Sequence, residues 1–199
     1  MLAAAFIAKS AFCVEHEYGD AAVAQAYLNE MLDQANNYSA AKSAAFFQEL
    51  SKGQHPRATV VTCSDSRVHS NILDETPEGD MFMVRNIGNQ LVNSKGSVQY
   101  GVNHLGSSLL LFIGHSRCGA ITAASGDTSA LEPDVKKELD SLNISKGGST
   151  IEGVKTNVHN QVAAAMQEWA DQVKEGRLMV VGAVYDFADD MKQGQAKLN

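Results

Sequence analysis

Apolar residues in this chain fall into short β-branched runs separated by longer stretches of helical spacing. Runs at about 58–63, 81–84, 108–114 and 178–184 are short and nearly continuous, as strands buried on both faces tend to be. Between them, apolar positions recur three and four apart, most clearly across 154–174. Alternation of this kind predicts an α/β fold built on a mostly parallel β-sheet flanked by helices. Ahead of it, residues 20–35 and 40–51 also carry helical spacing, with Ala24, Leu28, Met31, Leu32 and Ala35 on one stripe. Such an alanine-rich segment buries too little to form a core alone. The expectation is therefore an N-terminal helical arm over 1–45, packing on a partner subunit, and an α/β domain over 46–199.

Composition narrows the classes. At 199 residues, 44% of them hydrophobic, the chain can bury one substantial core. A net charge of −7 without a long run of one sign disfavours nucleic acid and anionic membrane as partners. No segment reaches the apolar length of a membrane-spanning helix. The apolar run at 2–8 lacks a preceding basic residue and is cut off by Lys9, so it reads as the start of a helix. This favours a cytoplasmic setting, with a periplasmic one if the run is a leader remnant. The glycines form neither a Gly-x-Gly-x-x-Gly nor a Walker pattern, and no internal repeat is present.

Three cysteines without paired spacing argue against a disulfide framework. Cys13 has no evident partner and reads as a packing residue. The other two sit in more informative places. Cys63 ends the run Ala58-Thr59-Val60-Val61-Thr62 and opens Cys63-Ser64-Asp65-Ser66-Arg67-Val68. Cys118 lies in Gly114-His115-Ser116-Arg117-Cys118-Gly119, directly after another apolar run. Alone, a cysteine at a strand end is usually a small buried hydrophobe, and a His-x-x-Cys pair arises by chance. Together they lie past the carboxyl ends of two strands, the edge of an α/β sheet where distant segments converge on a ligand. Two thiolates and an imidazole are a donor set that zinc prefers, and three protein ligands leave a tetrahedral ion one open position. Asp65 has two possible jobs beside such an ion: to close the site as a fourth ligand, or to accept a hydrogen bond from solvent there. Pairing with Arg67 would hold it off the metal and keep it ionised.

These residues carry a resemblance to the β-class carbonic anhydrases. It rests on Cys-x-Asp-x-Arg followed by His-x-x-Cys-Gly, and continues through Gly79-Asp80-Met81-Phe82-Met83-Val84-Arg85-Asn86, Ser97-Val98-Gln99-Tyr100-Gly101-Val102 and Gly182-Ala183-Val184-Tyr185-Asp186, covering about residues 46 to 187. The resemblance implies one zinc ion per chain on Cys63, His115 and Cys118, with Asp65 and Arg67 as a catalytic dyad. It further implies substrate contacts from Gln54, Phe82, Ile87, Tyr100 and the backbone N–H of Gly119, with part of this pocket supplied by a neighbouring subunit. The activity implied is that of a carbonate dehydratase, a zinc lyase that reversibly hydrates carbon dioxide to bicarbonate and a proton through attack of zinc-bound hydroxide. The assembly implied is a homodimer or a dimer-based higher oligomer such as a tetramer.

Two other readings use the same residues. One is a hydrolase of carbon disulfide or carbonyl sulfide on the same scaffold. The other is a non-catalytic zinc protein in which Asp65 closes the site. A thiol redox pair is disfavoured because neither cysteine lies in Cys-x-x-Cys. His69 is the candidate nearest in sequence for moving protons, against an ordinary exposed histidine; His16, His55, His104 and His159 have no motif context. Residues 125–150 read as loops around a charged helical stretch with no assigned role. After Asp186 the chain continues Phe187-Ala188-Asp189-Asp190-Met191 where the family usually makes a glycine turn into a last short strand, which leaves the terminal packing open.

Overall fold

The computed structural model of the chain describes residues 21–199. Cys13, His16 and the apolar run at 2–8 lie outside them. Contacts divide the chain into one unit up to Lys52 and a second from Gly53 onward. The first contains α1 (Ala21–Ala40) and α2 (Ala44–Leu50), the latter capped by the Ser43 hydroxyl, which accepts the Phe46 N–H. Neither helix buries a residue; Leu28, Met31 and Leu32 of the expected stripe are exposed, as is Tyr27.

The second unit is the α/β core. Four parallel strands, β1 (Ala58–Cys63), β2 (Met81–Asn86), β3 (Leu109–His115) and β4 (Met179–Asp186), lie in the order β2-β1-β3-β4, and β5 (Lys197–Leu198) pairs antiparallel with β4. All six residues of β1 are buried, as the continuous apolar run requires of a central strand covered on both sides. Side chains alternate across it: Val61 joins a cluster with Phe112, Leu110 and Trp169, whereas Val60 joins Ala58 and Ile113 on the opposite face. The polar members of β1 are satisfied inside, Thr59 Oγ1 meeting Ser107 Oγ at 2.6 Å and Thr62 donating to the Ile113 carbonyl at 3.4 Å.

Between strands run α3 (Lys95–Gln99) with a π-helical turn at Tyr100–His104, then α4 (Gly119–Ser125), α5 (Pro133–Asp140), α6 (Thr150–Glu168) and α7 (Ala170–Lys174). The helical spacing at 154–174 is thus split at Trp169, whose backbone leaves helical geometry at φ −113° and ψ 34°. Core burial decides this: the indole is 1% exposed and its N–H reaches Asn103 Oδ1 at 2.9 Å. The charged stretch within 125–150 is α5, flanked by loops as its composition suggests.

The chain end does form a last short strand, reached through Gly194, whose backbone lies at φ +103° and whose N–H donates to Asp189 Oδ1 at 2.8 Å. Asp186, fully buried, accepts the N–H groups of Asp190 and Met191 at 3.0 and 2.7 Å, so one carboxylate folds the turn that returns the chain to β5. Among the described residues no helix is long and apolar enough to cross a membrane.

Close approach of α6 to the sheet is set by glycine. A Cβ on Gly114 of β3 would lie 2.7 Å from Val158 Cγ2 and 2.8 Å from Val154 Cγ1, and both valines are stiff at χ1. Gly114→Ala should therefore lower unfolding stability by about 1–3 kcal/mol. Urea denaturation would show a reduced midpoint, whereas Gly96→Ala, where a Cβ meets nothing within 4 Å, should leave the midpoint unchanged or raise it.

Candidate metal centre

Sheet order fixes where the reactive residues meet. From β1 the chain places β2 on one side and β3 on the other, so β1 and β3 flank the point where the winding reverses, and their carboxyl ends leave a crevice between diverging loops. Cys63 is the last residue of β1 and His115 the last of β3; with Thr62 paired to Ile113, the two arrive at the same edge. Cys118 follows as the residue preceding α4. Arg117 makes this return possible by adopting a left-handed backbone at φ +53°.

The three side chains converge, with ligand atoms all within 4.8 Å of one another and all three residues buried. His115 is fully buried, and its Nδ1 lies 3.0 Å from the Ser116 carbonyl. That contact requires the proton on Nδ1, which leaves the Nε2 lone pair facing the two sulfurs. Nε2 has no hydrogen-bond partner. A buried nitrogen left without a partner is costly unless something else binds it. An imidazole lone pair and two thiols at this separation fit a zinc ion.

Backbone amides prepare the sulfurs. Cys63 is drawn well below the ordinary thiol range, first by the Cys118 thiol hydrogen-bonded to it and further by the N–H groups of Gly88 and Asp65, against the opposing effect of burial. Cys118 is pushed up by that shared contact and by burial, while the N–H groups of Ile121 and Ala120 pull the other way. A dication bound there would take both sulfurs as thiolates and release their protons. Among the described residues both cysteines are free of disulfides.

Asp65 and Arg67 form the pair anticipated from their spacing. Arg67 Nε donates to Asp65 Oδ1 at 2.8 Å and a terminal nitrogen donates to Oδ2 at 2.7 Å, a bidentate arrangement reinforced by the Arg67 backbone N–H on Oδ1 at 3.0 Å. Asp65 Oδ2 nevertheless lies 3.7 Å from His115 Nε2, beside the ligand cluster. The Arg67 hydrogen bonds hold the Asp65 carboxyl down to about 2. Arg85 props the loop from beneath, donating to the Cys63 carbonyl at 3.1 Å and the Asp65 carbonyl at 2.8 Å.

The remaining candidates divide by location. Ile87 packs against the cluster that contains both cysteines. Gly119 begins α4 directly after Cys118, and a Cβ placed there meets nothing within 4 Å. Phe82 and Tyr100 pack together elsewhere, their rings 5.8 Å apart. Phe82 pairs with Thr59, four positions before Cys63, about 13 Å away along the strand. Gln54 is exposed on the segment leading into the opposite end of β1. A single chain thus gathers the ligands, the dyad, Ile87 and Gly119, but not Gln54, Phe82 or Tyr100. His69 is exposed in the loop after Arg67. Sequence reasoning missed Arg85, Ser116, Gly88 and Phe187, which act through carbonyls, amides or a ring face and carry no ligand-type spacing of their own.

The family model for carbonic anhydrases matches residues 58–192, a span that contains the whole cluster. The chain belongs to the carbonic anhydrase family. Its class is the β class: it superposes on a tetrameric β-carbonic anhydrase of Sordaria macrospora with a TM-score of 0.70 and 26% identity, covering 82% of this chain and 92% of that one. Carbonic anhydrase 2 of Mycobacterium tuberculosis is 30% identical over 154 residues, 70% of this chain and 74% of the relative. The carbonic anhydrase of Synechococcus elongatus is 35% identical over 82 residues, 38% of this chain; that match spans about 30% of the length of the relative.

Two measurements follow from this β-carbonic anhydrase site. Cys63→Ser, His115→Ala and Cys118→Ser should each reduce zinc content well below the unsubstituted chain after dialysis, since each removes one of three donors. Asp65 should stay ionised across the neutral range. Its folded value of about 2 lies below the ordinary value of about 3.9, so the pair with Arg67 contributes its full stabilisation above the ordinary value and loses it as pH falls toward the folded one. Carboxyl-carbon NMR titration of Asp65 between pH 4 and 8 should therefore be flat.

Proposed function

We propose that this chain is a carbonate dehydratase, reversibly hydrating carbon dioxide to bicarbonate and a proton with one zinc ion on Cys63, His115 and Cys118. The observation that carries the reading is an ionised carboxylate beside a three-donor cluster, committed by both of its oxygens to an arginine. That commitment favours Asp65 as an acceptor over Asp65 as a fourth ligand, and so supports the catalytic reading over the non-catalytic one. When bound, zinc supplies Lewis acidity that brings the pKa of water toward about 7.

The chain's own residues do the rest. Asp65 accepts the O–H of a water lying against the cluster and turns that water's free lone pair toward the substrate carbon. Arg67 keeps the carboxylate ionised and its oxygens aimed. Ile87 offers an apolar wall that admits a linear, apolar substrate without a charged clamp. The Gly119 N–H, at the start of α4 beside Cys118, is the donor assigned to a substrate oxygen that gains charge. Gln54, Phe82 and Tyr100 lie too far along the strand to reach their own cluster, and Tyr100 is 48% exposed. We assign them to the pocket of a second copy, consistent with the tetrameric relative from Sordaria macrospora and with the exposed apolar stripe of α1.

Stopped-flow carbon dioxide hydration on zinc-quantified protein tests the proposal, with carbon disulfide and carbonyl sulfide assayed in parallel. The expected result is fast hydration at near one zinc per chain, and an Asp65→Asn variant that keeps its zinc while losing turnover by roughly 10–100-fold. Full zinc with turnover of the sulfur substrates alone would move the assignment to a hydrolase. Full zinc with no turnover of any of the three would leave a structural metal site.

A further inference from the structure

We propose that Phe187 is a positioning residue for the dyad: its ring holds the Arg67 guanidinium in the orientation that keeps Asp65 clear of the three ligand side chains. This rests on the reading of Asp65 as an acceptor. Phe187 follows β4 directly, in the stretch where the chain departs from the family's usual glycine turn. Its ring centre is 4.9 Å from Arg67 Cζ and 6.0 Å from the imidazole of His115, to which it is stacked at 23°. One ring thus touches both a zinc-type donor and the arginine that governs Asp65.

The ring is itself anchored. Tyr185 meets it edge-on at 5.5 Å, Ser116 Oγ accepts the Ala188 N–H at 3.2 Å, and the Asp186 carboxylate folds the turn just beyond. Phe187 belongs to none of the three core clusters, so its packing is spent on the site edge. Arg67 needs such a partner. Its side chain is 48% exposed, and apart from Asp65 its hydrogen bond in the site is to the Arg117 carbonyl at 3.2 Å. An exposed, rotamer-rich side chain holds a bidentate geometry weakly, and an aromatic face over the guanidinium restricts it. If the guanidinium swings away, Oδ2 loses its hydrogen bond and Oδ1 keeps only the Arg67 backbone N–H, while Oδ2 already stands 3.7 Å from His115 Nε2. The carboxylate is then free to turn onto the donor cluster and close it.

The test compares the full chain with Phe187→Leu, which removes the ring, and Phe187→Tyr, which keeps it. Hydrogen exchange of the Arg67 Nε–H by NMR reads the arginine directly, and azide titration of the cobalt(II)-substituted protein reads whether the open position is accessible. Phe187→Leu should speed exchange and weaken azide binding, each by roughly three- to tenfold, while Phe187→Tyr stays near the parent in both. Phe187→Met, which preserves apolar volume, serves the same purpose if the leucine variant does not fold. Unchanged exchange and azide affinity in the variant lacking the ring would overturn the proposal. Neither readout needs carbon dioxide turnover, so an inactive but azide-binding parent would count against the function above and not against the role of Phe187.

Discussion

Everything in the metal centre depends on the side-by-side pairing of β1 and β3 at the reversal of sheet winding. Cys63 and His115 are 52 positions apart in sequence, and nothing local relates them. Ladder hydrogen bonds between the fully buried β1 and the mostly buried β3 bring them to one edge, and the left-handed Arg117 then returns Cys118 to the same point. Apolar burial along Val60, Val61, Phe112 and Ile113 holds that ladder in register. A slip of one residue would reverse the faces of the whole strand and separate the donors.

On that frame, electrostatics sorts the acidic and basic groups into roles. Asp65 stands 3.7 Å from the imidazole of the three-donor cluster, where a bound cation would draw it. The Arg67 fork competes for both oxygens, the Arg85 side chain fixes the loop carbonyls, and a ring from the end of β4 covers the guanidinium. The outcome is a carboxylate that is ionised, close by and already engaged. Such a group can accept a hydrogen bond and hold a water in place without giving up its charge.

Sequence reasoning found the strands within one or two residues and the three donors outright, because continuous β-branched runs and soft-donor residues at strand ends are local signals. The Asp65–Arg67 pairing was equally legible, being two residues apart. What spacing did not reveal was the break at Trp169, which comes from burial of one indole against Asn103 within an otherwise helical pattern. Nor did it reveal that the Asp186 carboxylate would hold the chain as it leaves β4, since a carboxylate capping two amides looks in sequence like any other aspartate. Gln54, Phe82 and Tyr100 were named through the family resemblance, and their distance from Cys63 in one chain is a property of the sheet register that no motif encodes.

The hydrogen bonds on the two sulfurs carry a different kind of consequence. Their donors include main-chain amides of Gly88 and Asp65 on one side and of Ala120 and Ile121 on the other. Amide donors temper how much charge each thiolate gives to a bound ion, and so help set its acidity. No point substitution other than to proline deletes a main-chain N–H. Part of the electronic character of the centre is therefore written into the path of the backbone, where a change of side chain at those four positions leaves the donor in place.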